Sequence, residues 1–157
     1  MLYFAHGSNL DRPQMLVRCA GARYVGNAKL AGYRLCFPRR SAVRASAIAS
    51  IEAAKGQAVW GALYEVDQAG LDRLDITEGC LPNRDPAVNT SRRMTVKVER
   101  PDGGAADACV HISNAAANPG LPSAGYMLVL VRAAVALGMP GEFLQELRAI
   151  EPERLAA

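Results

Sequence analysis

The order of hydrophobic patterns along the chain limits its fold more than any other feature of the sequence. Strand-like runs come first, and two amphipathic helical runs come last. The 157 residues contain no internal repeat and no linker, and this length lets one domain bury a core without disulfides or metals. The sequence therefore predicts a single α+β domain over residues 1–157, with a mostly antiparallel sheet.

Turn and cap residues place the individual elements. Leu2 to Ala5 form a short apolar strand, and Asn9 or Asp11 caps a helix that carries Pro13 in its first turn. Two pairs of strand-like runs follow, and each pair is divided at a glycine, Gly32 or Gly56. The later elements are a helix AGLDRLDI, a loop CLPNRDPAVNTS, a hairpin of RMTVKVER and ADACVHIS, and two helices that start at Ser123 and Pro140.

Charge and cysteine spacing limit the partners and the compartment. With 18 basic and 15 acidic residues, the net charge is only +3, whereas a nucleic-acid-binding domain usually concentrates more positive charge on one face. The four cysteines show no CxxC spacing, and a strand at the very start leaves no room for a leader peptide. The longest apolar run, MLVLV, is too short to span a bilayer. We expect a soluble cytoplasmic protein with neither nucleic acid nor membrane as partner.

The tetrapeptide HGSN, residues 6–9, falls between the first predicted strand and the first helix. Unpaired backbone N–H groups at such a junction, and a glycine that permits close approach, favour a carboxylate, a phosphate or a developing oxyanion. The same residues are also consistent with plain helix capping, in which Ser8 and Asn9 are the cap residues and Gly7 supplies the turn.

Three other groups of residues are candidates for chemistry. Ser8 and His6 could form a hydrolase pair, but residues two apart rarely place nucleophile and base correctly, and no GxSxG surrounds the serine. Cys109 and His111 share one face of a strand, where they are a thiol and base, two ligands of a metal, or a structural core pair. Glu78 ends a short helix, where the helix dipole disfavours an acid; it is either a catalytic carboxylate or a solvated loop residue.

Segments that extend from residue 3 to about residue 150 match one known family in order and spacing. YFAHGSNL is similar to the opening motif YGSNL, and RCAGARYVGNAKLAGYRLCF to the strand pair that follows it. GQAVWGALYEV and LDRLDITEG are similar to the central strand and the catalytic-glutamate segment, and PSAGYMLVLV to a helix start PSxxY. The sequence thus resembles the gamma-glutamylcyclotransferase family, which is also described as AIG2-like.

This resemblance implies a small, mostly antiparallel β-barrel with flanking helices. It also implies an enzyme that cyclises a γ-glutamyl amide to 5-oxoproline and releases an amine or amino acid, with no cofactor and no metal. Glu78 matches the catalytic glutamate, which implies a general acid/base that serves both nitrogens in turn. The substrate-binding residues predicted on this basis are His6, Gly7, Ser8, Asn9, Leu10 and Tyr126.

Two departures from the family pattern keep an alternative open. His6 stands where the family motif has tyrosine, so an imidazole that titrates near neutral pH replaces a hydroxyl. The loop at residues 80–91 differs from the family's shorter loop and should alter the pocket rim. The alternative is a catalytically silent module that binds γ-glutamyl compounds or small anions. The residues do not distinguish γ-glutamyl amino acids, γ-glutamyl amines and glutathione as substrates. They are equally consistent with a monomer and with a homodimer.

Overall fold

Five strands close into a barrel and four α-helices pack around it in the computed structural model, which describes residues 1–155. The strands are β1 (Leu2–Ala5), β2 (Arg23–Ser41), β3 (Ser46–Glu65), β4 (Ser91–Glu99) and β5 (Ala105–Ser113). The helices are α1 (Arg12–Arg18), α2 (Gln68–Glu78), α3 (Ala124–Ala136) and α4 (Gly141–Ala149), and two 3₁₀ turns lie at Ser8–Leu10 and Pro86–Val88. The α+β class and the barrel implied by the resemblance are confirmed. The predicted domain over residues 1–157 also includes residues 156 and 157, which lie outside the described range.

The barrel closes through its shortest strand. The strand order is β1-β3-β2-β4-β5; β1 runs antiparallel to β3 and makes a parallel contact with β5, where Tyr3 lies opposite Cys109. All other strand pairs are antiparallel. The barrel thus closes through short contacts, one residue pair between β1 and β5 and one between β2 and β4, and the ends of β1 and β5 come together at one end of the barrel.

The two longest strands form one hairpin rather than four separate strands. The breaks predicted near Gly32 and Gly56 are wrong, because β2 and β3 continue through both positions. A bulge lies there instead, and the pairing register shifts between Ala31 and Tyr33 and then resumes. A bulge absorbs extra residues without ending the ladder, so the glycines bend the hairpin and do not divide it.

Side-chain caps fix where three of the helices begin. Asp11 caps α1 by accepting a hydrogen bond from the main-chain N–H of Gln14 at 3.2 Å, and Asp67 caps α2 in the same way. Ser123 caps α3, accepting from the N–H of Tyr126 at 3.1 Å. These caps agree with the predicted helix starts. The end of α2 and the start of α3 lie beside the barrel end. None of the helices within residues 1–155 is long and apolar enough to cross a membrane.

Candidate active site

Most of the predicted site residues meet at one cavity of about 120 Å³ beside the barrel end. The predicted residues that line it are His6, Gly7, Ser8, Asn9, Glu78 and Tyr126. They come from the segment after β1, the end of α2 and the first turn of α3. Leu10 is the exception, because its side chain is 1% exposed and lies in the hydrophobic core.

Glu78 is held at the cavity by the side chain of Asn9. The Asn9 amide donates to Glu78 Oε1 at 3.0 Å, and its carbonyl oxygen accepts from Arg18 Nη1 at 2.7 Å. Arg18 Nη1 also lies 3.6 Å from Glu78 Oε1, and the Glu78 side chain is 26% exposed. The carboxylate is therefore oriented by two neighbours in the cavity wall and does not extend freely into solvent.

The HGSN segment does not cap the first helix with its own side chains. Asp11 performs that role, whereas the side chains of Ser8 and Asn9 both accept hydrogen bonds from Arg18. In the 3₁₀ turn the first internal bond runs from the N–H of Leu10 to the carbonyl of Gly7 at 2.9 Å. The capping interpretation of Ser8 and Asn9 is therefore wrong, and their N–H groups precede the first bond of the turn, where they are available to a ligand.

The loop after Glu78 is tied back to the end of α2. Gly79 ends the helix with φ of 71°, a left-handed conformation that side chains with a Cβ rarely adopt. The Thr90 hydroxyl donates to the carbonyl of Glu78 at 3.1 Å, and the Thr90 N–H donates to that of Gly79 at 3.1 Å. The loop at residues 80–91 thus fixes the main chain that carries the carboxylate.

Two tyrosine hydroxyls at the cavity accept hydrogen bonds and keep their own protons. Tyr126 accepts from the main-chain N–H of Ala49 at 3.0 Å, and Tyr3 accepts from Asn9 at 3.1 Å. Burial raises the pKa of both hydroxyls, so each stays protonated and can donate to a ligand. The Arg44 guanidinium lies 5.4 Å from the centre of the Tyr126 ring. Tyr126 is 5% exposed, so it is a core residue and also part of the pocket wall.

His6 is a neutral ring with a defined tautomer. Its Nε2 lies 2.9 Å from the main-chain carbonyl oxygen of His111, and a carbonyl only accepts, so Nε2 carries the proton. Burial lowers the pKa of His6 below its ordinary value of 6.5. The expectation of titration near neutral pH assumes the ordinary value, and burial shifts the titration of this residue to lower pH. The Nε2 bond also commits the ring to His111, which does not support a hydrolase pair with Ser8.

His111 pairs with a carboxylate rather than with Cys109. Its Nε2 lies 2.7 Å from Asp75 Oδ1, and Arg93 Nη1 lies 2.6 Å from the other oxygen of the same carboxylate. Asp75, Cys80 and His111 offer ligand atoms within 4.8 Å of one another, an arrangement that could hold a metal ion. Arg93 already supplies the positive charge that a metal ion would offer to Asp75, so the cluster is best described as an ion pair that supports β5.

Sequence reasoning missed the residues that orient the predicted ones. Arg18, Tyr3 and Arg44 line the cavity, but an arginine at a helix end and a tyrosine in an apolar strand carry no distinctive signal. Asp75 did have one, because residues three apart lie on the same face of a helix and Asp75 precedes Glu78 by three positions in α2.

Comparison with known proteins shows which family the chain belongs to. The model of the AIG2-like family matches residues 58–147, and the chain belongs to that family. The gamma-glutamylcyclotransferase of Homo sapiens is 29% identical over 156 residues, which cover 96% of this chain and 79% of the relative. That of Bos taurus is 29% identical over 157 residues, with the same coverage of both chains.

Two solved structures share the whole fold. One is named gamma-glutamyl cyclotransferase; it is 26% identical, with a TM-score of 0.90, and the match covers 100% of this chain and 91% of the other. The second is a protein of Homo sapiens described as uncharacterized; it is 27% identical, with a TM-score of 0.87 and coverage of 99% and 90%. The similarity therefore extends over the barrel and the helices together.

Proposed function

We propose that this chain is a gamma-glutamylcyclotransferase, an enzyme that converts a γ-glutamyl amide to 5-oxoproline and releases an amine or amino acid. The observation that carries the proposal is the hydrogen bond between Asn9 and Glu78, which joins the two motifs of the family resemblance in one cavity. The curated relatives are named as enzymes of this type, which favours turnover over a silent binding module.

In this proposal Glu78 is the general acid and base. It takes a proton from the substrate's α-ammonium group, and the freed nitrogen attacks the γ-carbonyl carbon to close a five-membered ring. Glu78 returns this proton to the departing nitrogen as the amide C–N bond breaks. It then takes the second proton from the ring nitrogen, so that 5-oxoproline keeps one N–H, and passes that proton to the released amine, which leaves as an ammonium group. Ring closure is intramolecular, so the enzyme mainly holds the substrate curled. Proton transfer and orientation are sufficient for this chemistry, and we expect no cofactor.

The remaining cavity groups suit the charges of such a substrate. The N–H groups of Ser8 and Asn9 are positioned to bind an anionic oxygen, either the substrate carboxylate or the γ-carbonyl oxygen that becomes negative during attack. The Tyr126 hydroxyl is a third donor at the same cavity. Arg18 Nη1 lies 3.6 Å from Glu78 Oε1, and this contact helps to hold the carboxylate at the cavity.

The leaving group in this proposal carries a carboxylate. Arg18 and Arg44 line both the cavity and a wider groove of about 600 Å³ beside it. Arg18 is already paired with Glu78, but Arg44 only stacks on Tyr126 and donates to the Gln14 side chain, and it forms no salt bridge within residues 1–155. A cation without an anionic partner at the groove favours γ-glutamyl amino acids or glutathione over γ-glutamyl amines.

The test is 5-oxoproline release from two substrates that differ only in that carboxylate, γ-glutamyl-alanine and γ-glutamyl-ethylamine. We expect release from both, with the alanine compound preferred. Arg44→Gln should lower kcat/KM for the alanine compound by roughly tenfold or more and leave the ethylamine compound unaffected. Arg132→Gln, which removes an exposed charge on α3, is the matched control. No release from either substrate would contradict the enzyme, and equal kcat/KM for both would contradict the role of Arg44.

We also expect the enzyme to work in the cytoplasm on a small-molecule substrate. All four cysteines are free thiols, which fits a reducing compartment. A place in glutathione metabolism follows from the substrate class proposed above and is tested by including glutathione in the same assay.

A further inference from the structure

Two ring nitrogens of the cavity residues, Nδ1 of His6 and Nδ1 of His111, have no hydrogen-bond partner within residues 1–155. His6 is 8% exposed and lines the cavity, and its Nδ1 is buried without a hydrogen-bond partner among residues 1–155. A buried polar atom left in this state costs free energy. The proposed reaction assigns no role to this atom, because proton transfer is carried by Glu78.

The tautomer decides what kind of partner Nδ1 needs. Nε2 donates to the carbonyl of His111 at 2.9 Å, so in the neutral ring Nδ1 presents a lone pair. The ring packs against Phe4 at a centroid distance of 6.4 Å, and Glu78 and His111 are the titratable groups that act on it. His6 therefore places an acceptor within the cavity wall, which favours a ligand atom that carries a proton over a bare oxygen.

The cavity thus has two kinds of polar wall. Main-chain N–H groups of Ser8 and Asn9 and the hydroxyl of Tyr126 are donors, and they suit oxygens of the ligand. Glu78 and His6 are acceptors, and they suit a nitrogen that carries protons. In a γ-glutamyl substrate the α-nitrogen alone must approach Glu78 to lose a proton, and an ammonium group has further protons for a second acceptor.

We propose that His6 binds the α-nitrogen of the substrate through Nδ1 and holds it beside Glu78. The inference rests on the proposed function and adds a recognition role to it. The nitrogen donates to His6 first as the ammonium group, then as the attacking amine, and finally as the ring N–H of 5-oxoproline. Because this bond persists into the product, it can be measured by binding alone.

The experiment compares the affinity of 5-oxoproline with that of the lactone acid in which an oxygen replaces the ring N–H. Titration calorimetry gives both dissociation constants for the whole chain. We expect wild type to bind the lactam roughly tenfold more tightly than the lactone, since the lactone sets an oxygen lone pair against that of Nδ1. Equal affinity for the two compounds would overturn the inference.

Two substitutions assign that preference to one nitrogen. His6→Gln keeps an N–H donor for the carbonyl of His111 but has no acceptor at the position of Nδ1, so the preference for the lactam should disappear. His6→Asn places its side-chain oxygen close to the position of Nδ1 and should retain the preference. An unchanged preference in His6→Gln would overturn the inference even if wild type discriminates.

The proposed function and this inference fail in different ways. Release of 5-oxoproline by a wild type that binds lactam and lactone equally would leave the enzyme in place and remove the role of His6. If no γ-glutamyl substrate yields 5-oxoproline and neither ring compound binds, the proposed function and the inference are both wrong.

Discussion

Removing only the hydroxyl of Tyr126 would leave a buried main-chain donor without a partner. In the native structure this oxygen accepts a hydrogen bond from the N–H of Ala49 at 3.0 Å. Tyr126 is 5% exposed and Ala49 is 8% exposed, so bulk solvent has little access to this N–H group, although both residues line the cavity. Tyr126→Phe retains the ring and its contact with Arg44, which restricts the perturbation to this one bond.

The expected cost follows from the unsatisfied N–H group. A buried donor without an acceptor costs about 1 to 3 kcal/mol, and in a domain of this size each kcal/mol shifts the melting temperature by about 2 to 4 °C. Tyr126→Phe should therefore melt about 2 to 12 °C below wild type, as measured by circular dichroism, and should lower the urea midpoint without changing the slope. If the hydroxyl also donates to substrate, kcat/KM falls further than the fraction of folded protein does.

Tyr33→Phe is the matched control. Tyr33 is half-buried on the distant part of β2, and removing its hydroxyl should change the free energy of unfolding by less than about 0.5 kcal/mol. A Tyr126→Phe variant as stable as this control would refute the hydrogen bond between the start of α3 and β3.

Two further predictions concern pH and the end of α2. Burial lowers the pKa of His6 from its ordinary value of 6.5, so below pH 6.5 the unfolded chain binds a proton that the native state does not. The free energy of unfolding is therefore unaffected by this group above pH 6.5 and decreases as the pH falls below it, by up to about 1.4 kcal/mol per pH unit. The difference in unfolding free energy between wild type and His6→Gln should show this slope. A pH-independent difference would contradict the prediction. Gly79→Ala places a Cβ against the Thr90 hydroxyl at a φ of 71° and should destabilise the fold by at least about 1 to 2 kcal/mol. An unchanged urea midpoint would show that this turn is not constrained.

Local chemistry explains which parts of the fold could be predicted. Short alternating runs, a side-chain cap and a C-terminal glycine determine their own elements, so β1, the β4–β5 hairpin and the ends of α2 match the sequence pattern. The long hairpin differs because the effect of Gly32 depends on the partner strand, and pairing across β2 and β3 continues on both sides of the bulge. The residue pattern within one strand contains no information about the strand that pairs with it.

The same limit applies to the site. Glu78 and the HGSN segment were identified through the family resemblance, and the structure brings them to one cavity across 69 positions of sequence. Arg18 could not be predicted, since its contact with Glu78 depends on how α1 and α2 pack. The pKa of His6 could not be predicted either, because burial in the folded chain lowers it while the hydrogen bond to the carbonyl of His111 opposes that shift.

The most direct test of the account is 5-oxoproline release by wild type and by Glu78→Gln. Glutamine keeps the size of the side chain and an oxygen that can accept from Asn9, so the melting temperature and 5-oxoproline binding should be retained. Because glutamine cannot carry the proton between the two nitrogens, kcat should fall by about 10² to 10⁴. A folded Glu78→Gln variant that turns over γ-glutamyl substrates at the wild-type rate would contradict the central claim that this carboxylate is the acid and base.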